Sequence, residues 1–121
     1  MTAAAVNLVD KFSCFDDYWH PRIVGALNGQ LVKLAKLLGA FDWHQHADED
    51  ELFLVVAGTL RIQLRDREVS IASGEFFIVP RGVEHRPVAD DEVHVVLFEP
   101  ASTTNTGNVV TERTRATLEW I

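Results

Sequence analysis

The sequence predicts an all-β domain, an antiparallel sandwich or barrel, with one short helix ahead of the strands. Three observations carry this. From residue 51 onward short apolar runs follow one another (LFLVVA, LRIQLRD, REVSIAS, EFFIVP, HRPVA, VHVVLFE), and turn residues separate them: Gly58-Thr59, Ser73-Gly74, Pro80 to Gly82, Asp90-Asp91. LRIQLRD alternates cleanly, with Leu60, Ile62 and Leu64 on one face and Arg61, Gln63 and Arg65 on the other, so one side is wet. Asn28-Gly29 lies between two further apolar runs and is a strong signal for a two-residue hairpin.

Taken in order, residues 4–13 place Val6, Val9 and Phe12 at helical spacing, which predicts one or two turns of helix. Residues 31–38 are ambiguous by periodicity. Leu31, Leu34, Ala35 and Leu38 fit a helical stripe as well as Val32, Leu34 and Lys36 fit alternation; the Asn28-Gly29 hairpin argues for strands on both sides. In LFLVVA, Phe53 and Val55 share the face of Glu51, yet Leu52, Leu54 and Val56 make the opposite face equally apolar. Something must cover that face, either a second subunit or the chain's own terminal segments, and a homodimer is expected. The tail opens with a polar loop through Asn105-Thr106-Gly107 and closes with Leu118, Trp120 and Ile121, which predict a final strand packing back on the domain.

Composition excludes several classes of partner. The 121 residues suit a single domain over 1–121, long enough to bury a core without disulfides or structural zinc. Eleven basic against eighteen acidic side chains give a net charge of -7, and the basic residues are scattered, so nucleic acid is not expected. No apolar stretch approaches a membrane span and the N-terminus has no signal-like core, which predicts no membrane association and a cytoplasmic protein. Cys14 is the single cysteine and lies outside any metal pattern.

The residues with the most chemistry are His44, His46, Glu51 and His85. Two apart on an extended strand, His44 and His46 point to the same face; Ala47 to Asp50 allow a reversal, and Glu51 then offers a carboxylate from the paired strand. A second strand ends at Pro80, Gly82 permits a turn, and His85 starts the returning strand. Three imidazoles and a carboxylate meeting inside a barrel would repel one another when protonated and lack partners when neutral; a cation resolves both problems. Three nitrogens and one oxygen disfavour calcium and magnesium and suit one divalent transition metal, Fe, Mn, Ni, Co, Cu or Zn. Four protein ligands leave one or two positions open for a small molecule. His20 and His94 are read as structural, His94 having no evident carboxylate beside it. Asp48, Glu49 and Asp50 read as a solvated turn, and Arg81, Glu84 and Arg86 as rim charges.

At these residues the chain resembles the cupin superfamily, specifically its small single-domain members. The first cupin motif reads here as Gly39, His44, His46, Glu51 and Gly58, the second as Gly74, Pro80, Gly82 and His85. Gly39 stands one residue closer to His44 than in the family pattern, and Ala89 replaces a loop Asn; neither removes a ligand. The resemblance covers residues 39–89. It implies a jelly-roll β-barrel, a strand over 31–38, and one metal inside the barrel held by His44, His46, Glu51 and His85. Its members include sugar-phosphate isomerase-like proteins and dioxygenases, but the shared cage selects no reaction. Two functions are compatible with it: a metal-dependent enzyme acting on a small oxygenated molecule, or a non-catalytic module binding a sugar-like ligand with a structural metal. Phe53 and Val55 beside the ligands are apolar and no second acid or base is evident, which weighs against proton shuttling.

Overall fold

The computed structural model describes residues 3–121. Among these residues one short helix, α1 (Leu8–Phe12), precedes the strands. It starts where the Asn7 side chain accepts the backbone N–H of Asp10 at 3.0 Å, and it is shorter than the apolar spacing over 4–13 predicts. Seven antiparallel strands follow: β1 (Arg22–Leu27), β2 (Gln30–Ala40), β3 (Glu51–Ala57), β4 (Thr59–Leu64), β5 (Glu68–Ala72), β6 (Phe76–Val79) and β7 (His85–Pro100). Asn28 (φ 51°) and Gly29 (φ 76°) both adopt the left-handed conformation of a type I′ hairpin and pair Leu27 with Gln30. This settles residues 31–38 as strand.

The strand order is β1-β2-β7-β3-β6, with β4 joining β5 to β7. Strand β7 makes this possible. Its first residues pair with β4 (Leu64 to His85, Arg61 to Val88), its later ones with β3 (Val55 to Val95, Leu52 to Phe98), and β2 follows its other edge along both parts. The expected reversal at Asp90-Asp91 therefore does not occur. These exposed acids mark the point where β7 exchanges β4 for β3; the ladder with β2 shifts register beside them, between Leu37 and Gly39. Arg61 of β4 pairs with Asp90 at 2.8 Å, so Asp90 is held by charge along the strand instead of opening a turn.

Alternation assigns the two faces. Ala35 and Leu37 of β2, Phe53 and Val55 of β3, Leu60 and Ile62 of β4, Ile71, Val79, and Val93, Val95 and Leu97 of β7 form the interior core. On the outer side, Phe12 and Phe15 pack on Val24, Leu34 and Val96, with Leu54, Val56 and Ile121 against them. The chain's own terminal segments thus cover the Leu54 and Val56 part of the apolar outer face. The expected final strand is reduced to one parallel bridge between Trp120 and Ile23, with hydrogen bonds of 2.8 and 3.1 Å. The reason is local: Asn105, Thr106 and Thr114 hydrogen-bond backbone and side chains within the tail, folding residues 101–119 into turns.

Candidate metal centre

The four candidate ligands come from three places in the chain, and the fold brings them together. Glu51 is the first residue of β3 and His85 the first of β7. His44 and His46 do not lie on a strand paired with β3, contrary to the hairpin expected from their spacing. Both edges of β3 are already taken, by β6 and β7. Instead His44 bridges His85 directly, with N–H···O distances of 3.1 and 2.9 Å, and the carbonyl of His46 accepts Gly82 N–H at 2.7 Å. The extended spacing still turns both imidazoles inward. From the far side the tail clamps this segment: Gln45 N–H donates to Asn108 Oδ1 at 2.9 Å and Asn108 N–H to the Gln45 carbonyl at 3.0 Å.

All four side chains are buried, and one donor atom from each lies within 4.8 Å of the others. His46 Nε2 is 3.3 Å and His85 Nε2 3.5 Å from Glu51 Oε1. Backbone carbonyls orient two of the rings: His44 Nδ1–H donates to Asp42 at 2.9 Å and His85 Nδ1–H to Val83 at 2.9 Å, which leaves each Nε2 lone pair free. Among the described residues, His46 Nε2, His85 Nε2 and Glu51 Oε1 have no hydrogen-bond partner although fully enclosed. Buried polar atoms are ordinarily satisfied, so three orphaned donors aimed at one point fit a cation.

Electrostatics point the same way. Burial, reinforced by the neighbouring His85, pushes the His44 pKa down to about 4. Burial alone would raise Glu51, but the Glu99, His46 and His85 side chains close around it outweigh burial and hold the carboxyl well below its usual range. Neutral imidazoles and an ionised carboxylate are the forms that bind a metal.

Two charged residues that sequence reasoning passed over lie behind Glu51. Glu99 follows Val93, Val95 and Leu97 on the inner face of β7, and Lys33 precedes Ala35 and Leu37 on that of β2. Both are buried, and Lys33 Nζ donates to Glu99 Oε1 at 2.7 Å. Because Leu52 pairs with Phe98, Glu51 comes opposite Glu99, and the two carboxyls lie within hydrogen-bonding reach. Burial and the adjacent Glu51 push Glu99 well above the usual carboxylate range, against the opposing pull of Lys33. The expectation that no second acid adjoins the site is thereby corrected. Its signal was present in the alternation: a Lys and a Glu at positions where every neighbour on that face is apolar.

A cavity of about 40 Å³ opens beside the cluster. His44, Glu51, Glu99 and Asn105 supply its polar wall, and Trp19, Phe41 and Phe53 are the aromatic part of its apolar one. Trp19 stacks on Phe41 with ring centres 4.7 Å apart, and the Phe41 edge meets His44. The remaining candidates fall outside. His20 pairs with Asp17 at 3.0 Å. His94 stacks on Phe12 and has a carboxylate after all, Glu92, at 2.6 Å. Arg81 engages Asp50, Glu84 engages Arg65, and Arg86 donates to Gln63, so these rim charges are satisfied at the surface.

A family model described as the cupin domain matches residues 31–99, more than half the chain. The chain is a cupin. Among solved structures, this cupin is similar to a cupin-2 domain containing protein from Shewanella frigidimarina, with 44% identity and a TM-score of 0.78 over 78% of this chain and 93% of that one. It is also similar to protein NMB1881 from Neisseria meningitidis, with 31% identity and a TM-score of 0.75 over 81% and 100% of the two chains. The uncharacterized protein YdbB of Bacillus subtilis shares 38% identity over 64 residues, 52% of this chain and 57% of YdbB, so the match spans little more than half the length of that relative.

Proposed function

We propose that this cupin holds one divalent transition metal through His44, His46, Glu51 and His85 and binds a small oxygenated molecule beside it. The observation that carries the reading is the set of orphaned, buried donor atoms on His46, Glu51 and His85, a cluster that meets an aromatic-walled cavity through Glu51 and His44. Bound there, the metal would supply Lewis acidity and one or two open coordination positions. The chain's own residues do the rest. Asp42 and Val83 carbonyls fix the rings of His44 and His85; Trp19, Phe41 and Phe53 exclude water and offer flat apolar contact; Glu99 and Asn105 offer polar contacts to a hydroxyl or carbonyl.

The presence of Glu99 favours turnover over passive binding, because a carboxyl beside the ligand can exchange hydrogen bonds with a reacting oxygen. Metal analysis of purified protein, followed by assays of iron-, manganese- and zinc-loaded forms against sugar phosphates and small diols, tests this. Turnover by a loaded form that Glu99→Gln abolishes at unchanged metal content supports the enzyme. Tight binding without turnover by any form leaves the binding module.

We further propose that the cupin is a homodimer formed through β6. Among the described residues β6 pairs with β3 alone, and it exposes Phe76 and Ile78 beside the half-exposed Leu52 and Phe98. The terminal segments do not reach this part of the outer face, and a second copy adding to the free edge would cover it.

A further inference from the structure

A second, polar pocket is lined by Lys33 and shares Asn105 with the metal cavity, and we infer that it is a binding site for a small oxyanion, a phosphate or a carboxylate. Its volume is about 150 Å³. A single water needs only about 10–15 Å³, so the space is too large to be explained as one structural water. Lys33, Ser102, Thr103, Thr104 and Arg115 provide the polar lining, and Ile23, Leu31 and Leu118 the apolar walls. Among the described residues no acidic one lines it.

Three features make this an anion site and not a mere gap in the tail. Thr103, a residue of the pocket wall, is 7% exposed, and its hydroxyl has no hydrogen-bond partner among the described residues. A buried hydroxyl without a partner is unfavourable unless a ligand or water completes it. Lys33, almost fully buried, uses one N–H on Glu99 and leaves its others without a protein acceptor. Arg115 has its backbone N–H fixed by Asn105 Oδ1 at 2.9 Å, while its guanidinium reaches only the Glu112 carbonyl, at 3.2 Å; no carboxylate lies within ion-pair distance among the described residues. Lys33 has Glu99 beside it, whereas Arg115 has no carboxylate partner among the described residues, and its charge gives the pocket a positive field. A planar guanidinium, an ammonium and a hydroxyl around one space match the acceptor oxygens of a phosphate or carboxylate.

The site does not depend on the metal. Asn105 borders both cavities, however, so the anion is either a free ion or the charged end of a molecule whose other end lies toward the metal. Calorimetric titration of metal-loaded protein with inorganic phosphate, at ionic strength matched with sodium chloride, is the test, repeated with acetate. Saturable phosphate binding is expected. Losing a hydrogen bond to a charged group weakens binding about tenfold or more, so Arg115→Gln and, separately, Thr103→Val should each show that loss at unchanged metal content. The metal-deficient His85→Ala protein should retain phosphate affinity, which separates this site from the metal centre even if no metal reading holds. A phosphomonoester that binds more tightly than phosphate only in the metal-loaded protein would identify the bridging ligand. Absence of saturable binding, binding lost in His85→Ala, or affinity unchanged in both Arg115→Gln and Thr103→Val would overturn the proposal and leave a pocket filled with water.

Discussion

His85 is the ligand on which the centre converges: its backbone bridges His44, its ring nitrogen faces Glu51, and it is wholly buried. His44→Ala or His85→Ala should therefore lower metal content well below one ion per chain by elemental analysis, and full content in either variant would refute the ligand assignment. Protons compete for the same nitrogens. His44 has its folded pKa depressed from 6.5 to about 4, so the unfolded chain binds more protons between those values. Stability from the neutral ring is complete above pH 6.5 and is lost as pH falls toward 4, a change of about 3 kcal/mol at 1.36 kcal/mol per pKa unit. Urea unfolding of metal-free protein across this window should show the decline, and His44→Phe should flatten it. Behind the ligands, Lys33→Met removes one half of a buried pair. Breaking such a pair is destabilising by about 3–5 kcal/mol, and the double replacement of Lys33 and Glu99 by Met should recover much of the loss; simple additivity in denaturant unfolding would argue against the pairing.

At the scale of elements, the tail acts as a strap on the His44 segment. Gly107 has φ +57° and stands so close to the Gln45 carbonyl that a Cβ there would overlap it, with the His44 ring next in line. Gly107→Ala should loosen the strap, crowd the His44 ring and weaken metal affinity while leaving all four ligand residues in the chain, measured by competition with a chelator; unchanged affinity would mean that the segment is held by the His85 bridge alone. Gly58 at φ +88° has a similar constraint, a Cβ falling 2.9 Å from the Glu92 carbonyl of β7. It lies where β3 turns into β4, which explains physically why a glycine closes the first motif. The helix α1 has a different task. Phe12 buries its ring against His94 and the outer cluster, and Phe12→Ala should reduce stability by about 3 kcal/mol, the loss expected for a large buried ring, while leaving metal content unchanged.

For the whole molecule, the outer face is divided between two covers. The terminal segments take the side of Leu54 and Val56, and the edge strand β6 leaves Phe76 and Ile78 outside. Light scattering should give twice the chain mass, and Ile78→Asp should shift it to the monomer by placing a charge in the apolar contact. A monomer for the unaltered protein would remove the β6 proposal. No helix among the described residues is long and apolar enough to cross a membrane.

Much of this was legible in the chain itself. Period-two alternation assigned Phe53 and Val55 inward, Asn28-Gly29 required a hairpin whatever surrounded it, and the His44-x-His46 spacing turned both rings to one side, because these signals depend on geometry within a few residues; the two motifs together named all four members of the buried cluster. Long-range pairing was beyond such signals. Only the fold determined that β7 runs unbroken past Asp90-Asp91, that His44 pairs with His85 instead of β3, and that the tail ends in a clamp and a single bridge. The same holds for Lys33 and Glu99, which stand 66 positions apart. Each is an isolated charge in an apolar strand until neighbouring ladders set them side by side, and in a low-dielectric interior each is tolerable only through the other.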